Sequence, residues 1–293
     1  MAKFTYDEPT NRDDLTDVIT NISPTQTPIV TMIGTAKAKA TYHEFPEDTL
    51  SDAAVNAHVE GAANTATAAP ARTRKGNYTQ IMKRGYEVTE TQQAVDKAGV
   101  DDEYGYQMLK AMKELSRDLE YAVTLNGAAV AGTTSTARKM AGIGNLITTN
   151  KLANAGTARV ITRAIITSAL QAAWNAGGEP DKLIVSGGNK VNISGLTTSN
   201  TKNIDAKKKE LVEAVDVIDT DFGRVEIKAS RFMPDTSIYV LDPQYIAVAW
   251  LRRFKKKDLP ATSDAISGII TGEMTLEFKG EAGQAQITDL KLA

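Results

Sequence analysis

The chain contains no cysteine, which excludes disulfides, thiolate metal sites and thiol nucleophiles and fits synthesis in a reducing compartment. Aromatic residues make up only 6% of it, so large aromatic anchors are scarce. The formal net charge of −2 gives no general attraction to phosphate backbones or anionic membranes. No apolar run approaches the ~20 residues that a membrane-crossing helix needs. The opening stretch from Met1 to Pro9 lacks the apolar core of a signal peptide, so assembly in the cytoplasm is expected. Only two histidines are present, His43 and His58. Neither lies near carboxylates at metal-ligand spacing, so surface roles are expected for both and no metal site or cofactor. What remains is ordinary globular composition, 42% hydrophobic and 24% charged over 293 residues. That length suits two domains, or one domain with large excursions.

The excursion is visible. Residues 39 to 99 are too poor in apolar side chains to fold on themselves. Ala40-Thr-Tyr-His-Glu-Phe-Pro46 and Asn77-Tyr-Thr-Gln-Ile-Met-Lys-Arg-Gly-Tyr-Glu-Val88 favour strand, and between them Ala53 to Ala71 is mostly Ala, Thr and Asn with Gly61 and Pro70 as breakers. In the closing arm Tyr78, Gln80, Met82, Arg84, Tyr86 and Val88 face one way, and Thr79, Ile81, Lys83 and Glu87 the other. Apolar residues on both faces at period two suit a two-stranded ribbon pressed between neighbours. An arm of ~15 residues at ~3.3 Å each reaches on the order of 50 Å, beyond the radius of a compact domain. Such an arm needs a partner, and a second copy of the chain is the expected one. The first 35 residues read as another arm, with a short helix near Leu15, Val18 and Ile19 and an apolar piece from Thr27 to Gly34. That segment either packs on its own domain or reaches a neighbour.

A long helix is expected from Asp101 to Asn126. Asp101 or Asp102 caps it, and Asn126-Gly127 stops it. Tyr104, Met108, Ala111, Met112, Leu115, Leu119 and Ala122 form one stripe, and Lys110, Glu114 and Arg117 pair on the other side. Ala128 to Ile147 reads as a loop. A compact α/β pattern follows: a helix from Thr162 to Asn175 with Trp174 on its apolar face, a buried strand at 181–187, and a short helix from Asn189 to Leu196. Further strands are expected at 211–219, 225–230 and 237–241. Ile246 to Leu251 and Met274 to Phe278 read as final strands, with Arg252 to Gly268 as a projecting loop between them.

No catalytic constellation emerges, and no enzymatic activity is expected. Ser186-Gly-Gly-Asn-Lys190 lacks the spacing and ending of a phosphate loop, and no Gly-x-Ser-x-Gly elbow occurs. Asp216, Asp219 and Asp221 lack the glycine and downstream glutamate of a calcium loop. The basic run Arg252-Arg-Phe-Lys-Lys-Lys257 and Lys207 to Lys209 could touch nucleic acid, but a solvated loop or an inter-subunit ion pair is the favoured reading. Arg72, Arg74 and Lys75 form either a solvated patch or a contact with an acidic neighbour.

The order of parts, with Arg74-Lys-Gly-Asn-Tyr-Thr-Gln-Ile81, Arg117-Asp-Leu-Glu120, Thr136-Ala-Arg-Lys-Met-Ala141, Asp221-Phe-Gly-Arg-Val225, Val240-Leu-Asp-Pro243 and Glu273-Met-Thr-Leu-Glu277, resembles the major capsid proteins of tailed double-stranded DNA bacteriophages. The resemblance implies an α+β, HK97-type fold. Residues 1–38 become an N-terminal arm and 39–95 an extended two-stranded E-loop. Residues 96–145 become a peripheral domain with a spine helix, 146–243 a compact axial domain, and 244–293 terminal strands and a loop that rejoin the peripheral domain. It implies a virion head shell of pentamers and hexamers around packaged double-stranded DNA, with portal and scaffolding proteins as partners and no membrane. Either a separate scaffolding protein or prior cleavage of a scaffold segment fits this chain. Inter-subunit contacts are expected at Arg72, Arg74, Lys75, Tyr78, Ile81, Met82, Arg84, Arg252, Arg253 and Lys256. The alternatives are an encapsulin-like compartment of the same fold and, from a different class, a cytoplasmic α/β enzyme.

Overall fold

A computed structural model describes residues 26–51, 53–63, 70–95, 99–196, 216–261 and 263–293. The expected helix around Leu15, the basic run Lys207 to Lys209 and residues 211–215 of one expected strand lie outside these.

The organising element is helix α3, Glu103–Leu125. Its N-cap is Asp102, whose carboxylate accepts from the Gly105 N–H at 3.0 Å, placing negative charge on the positive end of the helix dipole. At 1.5 Å per residue it is roughly 35 Å long. Ala111, Leu115, Leu119, Ala122 and Val123 are buried. Met112, expected on that stripe, is 44% exposed. The seam instead drifts through Glu120 and Val123, because 3.6 residues per turn rotates a straight helix past a strict three-four spacing. Glu114 pairs instead with Arg84 of a neighbouring strand, and among the described residues no ion pair joins it to Lys110 or Arg117 as expected.

The helix lies on a four-stranded sheet of order β1-β11-β12-β4, where β1 is Gly34–Lys37, β4 Gln80–Thr89, β11 Ile246–Asp258 and β12 Ala265–Phe278. The inward face of β4 is Met82, Tyr86 and Val88 and the outward face Ile81, Lys83 and Glu87, so the period-two reading of this segment holds. Its partner does not: β4 pairs with β12, not with the opposite arm of a ribbon. The two-stranded ribbon is the shorter pair β2 (Tyr42–Glu47) and β3 (Thr73–Tyr78), in register from Tyr42 opposite Tyr78 to Glu47 opposite Thr73. Residues 80–95 therefore belong to the sheet and a short following helix, α2 (Glu90–Ala94).

Two further expectations are corrected. The projecting loop at 252–268 is mostly strand, because β11 and β12 continue as one long hairpin and leave only 259–264 to the turn. A run of lysines looks like loop, yet in a strand pairing supplies the stability and both faces can stay wet. The apolar piece expected within an arm docks on its own chain: helix α1 (Pro28–Met32) buries Ile29 against α3, and β1 adds to β11 in parallel.

The second body is a six-stranded mixed sheet of order β5-β13-β10-β7-β9-β8. Here β5 is Lys151–Leu152, β7 Lys182–Val185, β8 Val217–Thr220, β9 Gly223–Ala229, β10 Ile238–Leu241 and β13 Ala285–Ile287. Helix α5, Arg163–Asn175, capped by the Thr162 hydroxyl, buries Ile166, Ala169, Leu170 and Ala173 on one face. Alternation splits β7 between two cores: Leu183 and Val185 meet α5, while Ile184 joins the core under α3. Strands buried on both faces read as continuous apolar runs. Trp174 departs from its expected place, being 54% exposed and resting on Phe222 at 5.8 Å. The expected terminal unit 244–293 divides, since β11 and β12 lie in the first sheet while β13 returns to β10 and β5.

Candidate assembly interface

The ribbon leaves the body at a cluster of buried polar groups that clamps its base. Asn77, fully buried, accepts from the Ala141 N–H at 2.9 Å and donates to the Leu276 and Ala141 carbonyls at 3.1 and 3.2 Å. Thr79 marks the point where the chain changes partners. Its N–H donates to the Thr41 carbonyl at 2.8 Å and its hydroxyl to Glu273 at 2.8 Å. Loop residue Arg138 donates to the Thr79 carbonyl at 2.8 Å and also pairs with Glu273. Burying a carboxylate costs several kcal/mol unless it is paired and hydrogen-bonded, and Glu273 is satisfied by Thr79, Arg138 and Arg252.

Two more carboxylates extend the clamp along the same edge. Glu277 pairs with His43 of the ribbon at 2.9 Å and with Lys279. Glu281 accepts from the Thr148 and Thr149 backbone N–H groups and hydroxyls, and Lys75 of the ribbon lies 3.5 Å away. Lys75 also pairs with Glu47 at 2.9 Å, and Glu47 accepts from the Gly280 N–H at 2.9 Å. A cleft of about 280 Å³ between Phe45, Lys75 and Gly76 of the ribbon and Leu146 and Phe278 of the body marks the joint. The surface role expected for His43 is thus overturned, while His58 is exposed and bonds only its neighbour Asn56, at 2.7 Å.

Burial pushes the Glu273 carboxyl up, but the Thr79 hydroxyl, Arg252 and Arg138 outweigh it and hold the group below its ordinary 4.5. Glu277 is lowered likewise, burial being overcome by Lys279 and His43. Glu281 is lowered by the Thr148 and Thr149 donors against burial. A carboxylate lowered in the fold contributes stability above its unfolded value and loses it as pH falls through its folded value. The joint is therefore expected to hold from neutral pH to about 5 and to weaken below about 4.5. Thermal melts from pH 7 to pH 3 should show that fall. A variant carrying Glu277→Gln and Glu281→Gln should melt lower at pH 7 and change less with acid.

The sequence-predicted contact residues divide. Arg72 (with Asp48, 2.9 Å), Arg74 (with Glu44, 3.8 Å) and Lys75 lie on the ribbon and pair within it. Tyr78 stacks on Tyr42 at 4.7 Å. Arg84 reaches Glu114 and Asp118 of α3, Arg252 is held by Glu273, and Lys256 lies 3.2 Å from Asp258 and 5.0 Å over the Tyr104 ring. Met82 is 6% exposed and packs in the core, which removes it as a surface contact. Ile81 is 52% exposed, and Arg253 is exposed at the strand irregularity of β11. The buried carboxylates of β12 and Glu120 were missed. Their signal was acid placed inside an otherwise apolar strand or helix stripe.

Among the described residues no group of three or more His, Cys, Asp or Glu is placed to hold a metal, and no helix is long and apolar enough to cross a membrane. The sequence profile of the SU10 major capsid proteins matches residues 2–291. The chain belongs to that family. A curated major capsid protein of Escherichia phage Phieco32 is 32% identical over 125 residues, 42% of this chain and 35% of that protein, so the match spans about a third of the relative's length. Among solved structures, the capsid asymmetric unit of cyanophage A-1(L) aligns with a TM-score of 0.71 at 14% identity over 96% of this chain and 97% of that one. Microbacterium phage Oxtober96 gives 0.66 at 14% identity over 96% of each chain. The encapsulin of Synechococcus elongatus gives 0.62 at 8% identity over 96% of this chain and 92% of that one. At such identities the likeness speaks for the fold, and the fold is the HK97 type in an α+β chain, as the resemblance implied.

Proposed function

We propose that this family member works as the repeating subunit of a phage head shell, self-associating into pentamers and hexamers that enclose double-stranded DNA. The supporting observation is the ribbon: residues 48–51 and 53–63 at its tip are exposed throughout, while its base is clamped to the body by buried, fully partnered polar groups. A lone monomer gains nothing by exposing the large apolar side chains of a coreless tip to water. Obligate contacts commonly bury more than ~2,000 Å², and a thin ribbon lying on a neighbour contributes both of its faces to that area. The same proposal takes portal and scaffolding proteins as partners, packaged DNA as a non-specific neighbour of the wall, and the host cytoplasm as the place of assembly.

The encapsulin reading rests on the shared fold, and a cargo-enzyme gene beside this one, with no portal or terminase gene, would favour it. Sedimentation velocity across a concentration series, with scaffold supplied, tests the shell reading. Species of several subunits growing with concentration are expected, and a single monomer boundary at every concentration would oppose it.

A further inference from the structure

Unlike the three carboxylates of the ribbon joint, Glu120 has no cation beside it. Its side chain is fully buried, and it makes no ion pair among the described residues. Its partners are neutral. The two carboxylate oxygens accept from the Ile29 and Val30 N–H groups of α1 at 3.0 and 2.8 Å, and the Ser230 hydroxyl is a third donor.

Three parts of the chain meet at this side chain. Helix α1 supplies the amides and α3 the carboxylate. Ser230 opens the connection from β9 to β10 and is anchored to β7 by its N–H, which donates to the Val185 carbonyl at 2.9 Å. One turn further along α3, the Tyr239 hydroxyl donates to the Thr124 carbonyl at 3.0 Å, so the second body grips the helix at two points. Ile29 is fully buried and shares a core with Met233 and Tyr239. The other bonds of α1 run within it, from the Thr31 N–H to the Thr27 carbonyl and from the Ile33 N–H to the Ile29 carbonyl. Among the described residues, Glu120 is thus its polar attachment to the body.

A buried charge with only neutral partners is costly. Here the three bonds favour the ionised form and burial disfavours it. Burial is the larger effect and holds the carboxyl above its ordinary 4.5. Lifting α1 away opens the group to water and returns it toward that value. The seated form therefore binds a proton more tightly. Seating is favoured below the ordinary value and is lost as pH rises through the seated one. No neighbouring group reverses this sign. Helix α1 carries no titratable side chain, and burial pushes the Tyr239 hydroxyl up to about 12. On α3 Asp118 is paired with Arg84, and Arg117 and Arg231 stay charged throughout.

We propose that α1 is a strap, seated on α3 while Glu120 holds a proton and released as Glu120 ionises. Release moves the point where the N-terminal residues leave the body from Gln26 to Gly34. The strap works in the opposite sense to the ribbon joint: acid seats the one and loosens the other. The device lies within one chain, so it stands or falls separately from the shell reading.

Hydrogen exchange of the intact chain tests it, followed by mass spectrometry of peptides covering residues 26–33 and corrected for the intrinsic pH dependence of exchange. From about pH 5.5 to about pH 9, above the range in which the ribbon joint titrates, protection of Ile29 and Val30 should fall severalfold. Protection along α3 and β12 should stay constant. In Glu120→Gln, uncharged at every pH, the same amides should show no pH dependence. Ser230→Ala removes a donor to the ionised form and should enlarge the fall, which keeps the test decisive if Glu120→Gln does not fold. Constant protection in the wild type, protection that rises with pH, an equal fall in Glu120→Gln or an unchanged fall in Ser230→Ala would each overturn the strap.

Discussion

A variant lacking residues 51–70, closed by Asn-Gly, is expected to fold normally and to lose assembly. Every described residue in the deleted stretch is exposed, so its removal uncovers no core. The ribbon below it keeps its register from Tyr42 opposite Tyr78 to Glu47 opposite Thr73, and an Asn-Gly turn suits the twist of a two-stranded hairpin. Shortening a connection changes its closure entropy only slightly, by about 0.6 kcal/mol per halving. The melting temperature should therefore stay within a few degrees of the parent, while particles disappear at concentrations where the parent assembles fully. Circular dichroism and light scattering on the same samples read both quantities. If the variant unfolds instead, the deleted stretch belongs to a core and the interface account is wrong.

The second large effect is one of stability. Glu273→Ala should destabilise the monomer by about 3 kcal/mol, because removing one member of a buried ionic cluster leaves its partners uncompensated. The partly buried Arg138 and the buried Thr79 hydroxyl are the partners that lose most, while Arg252 is more than half exposed and is discounted accordingly. For a chain of this size that corresponds to roughly 6–10 °C in melting temperature. Glu273→Gln, which keeps a hydrogen-bond acceptor but not the charge, should lose less. Equal melting of Glu273→Ala and the parent would show that the clamp at Thr79 is not holding the ribbon base. Glu120 tests the same logic on the other side of the spine: it accepts from the Ile29 and Val30 N–H groups at 3.0 and 2.8 Å, and burial raises its carboxyl against those bonds. Because its shift is upward, Glu120 opposes the acid-induced loss expected at the ribbon joint and makes that fall shallower.

How much of this was legible in the sequence depended on whether the signal was local. The spine helix was, because Asp102, the three-four stripe and Asn126 all lie within one stretch. The α/β body was too, since Thr162, Leu183 to Val185 and Gly223 mark starts, buried runs and turns locally. The ribbon's lower boundary was hidden, as the alternation from Tyr78 to Val88 runs through Thr79 almost without a break. The change of partner there is set by β12, nearly 200 residues away. The extent of β11 was hidden for a different reason: Arg252 to Asp258 offers polar residues to both faces, and only the opposing strand makes it a strand. The pairing of His43 with Glu277 joins residues 234 apart in sequence, and neither carries a local motif. Met82 was misplaced because alternation predicts which residues share a face but not which face meets the core.

The central claim is that this ribbon is completed by a neighbouring subunit. Cryo-electron microscopy of the purified, assembled chain reads it directly. The account predicts closed shells of five- and six-fold clusters in which each ribbon tip lies against an adjacent subunit. Monodisperse single chains at high concentration with scaffold supplied, or shells whose ribbon tips stand free in solvent, would contradict it.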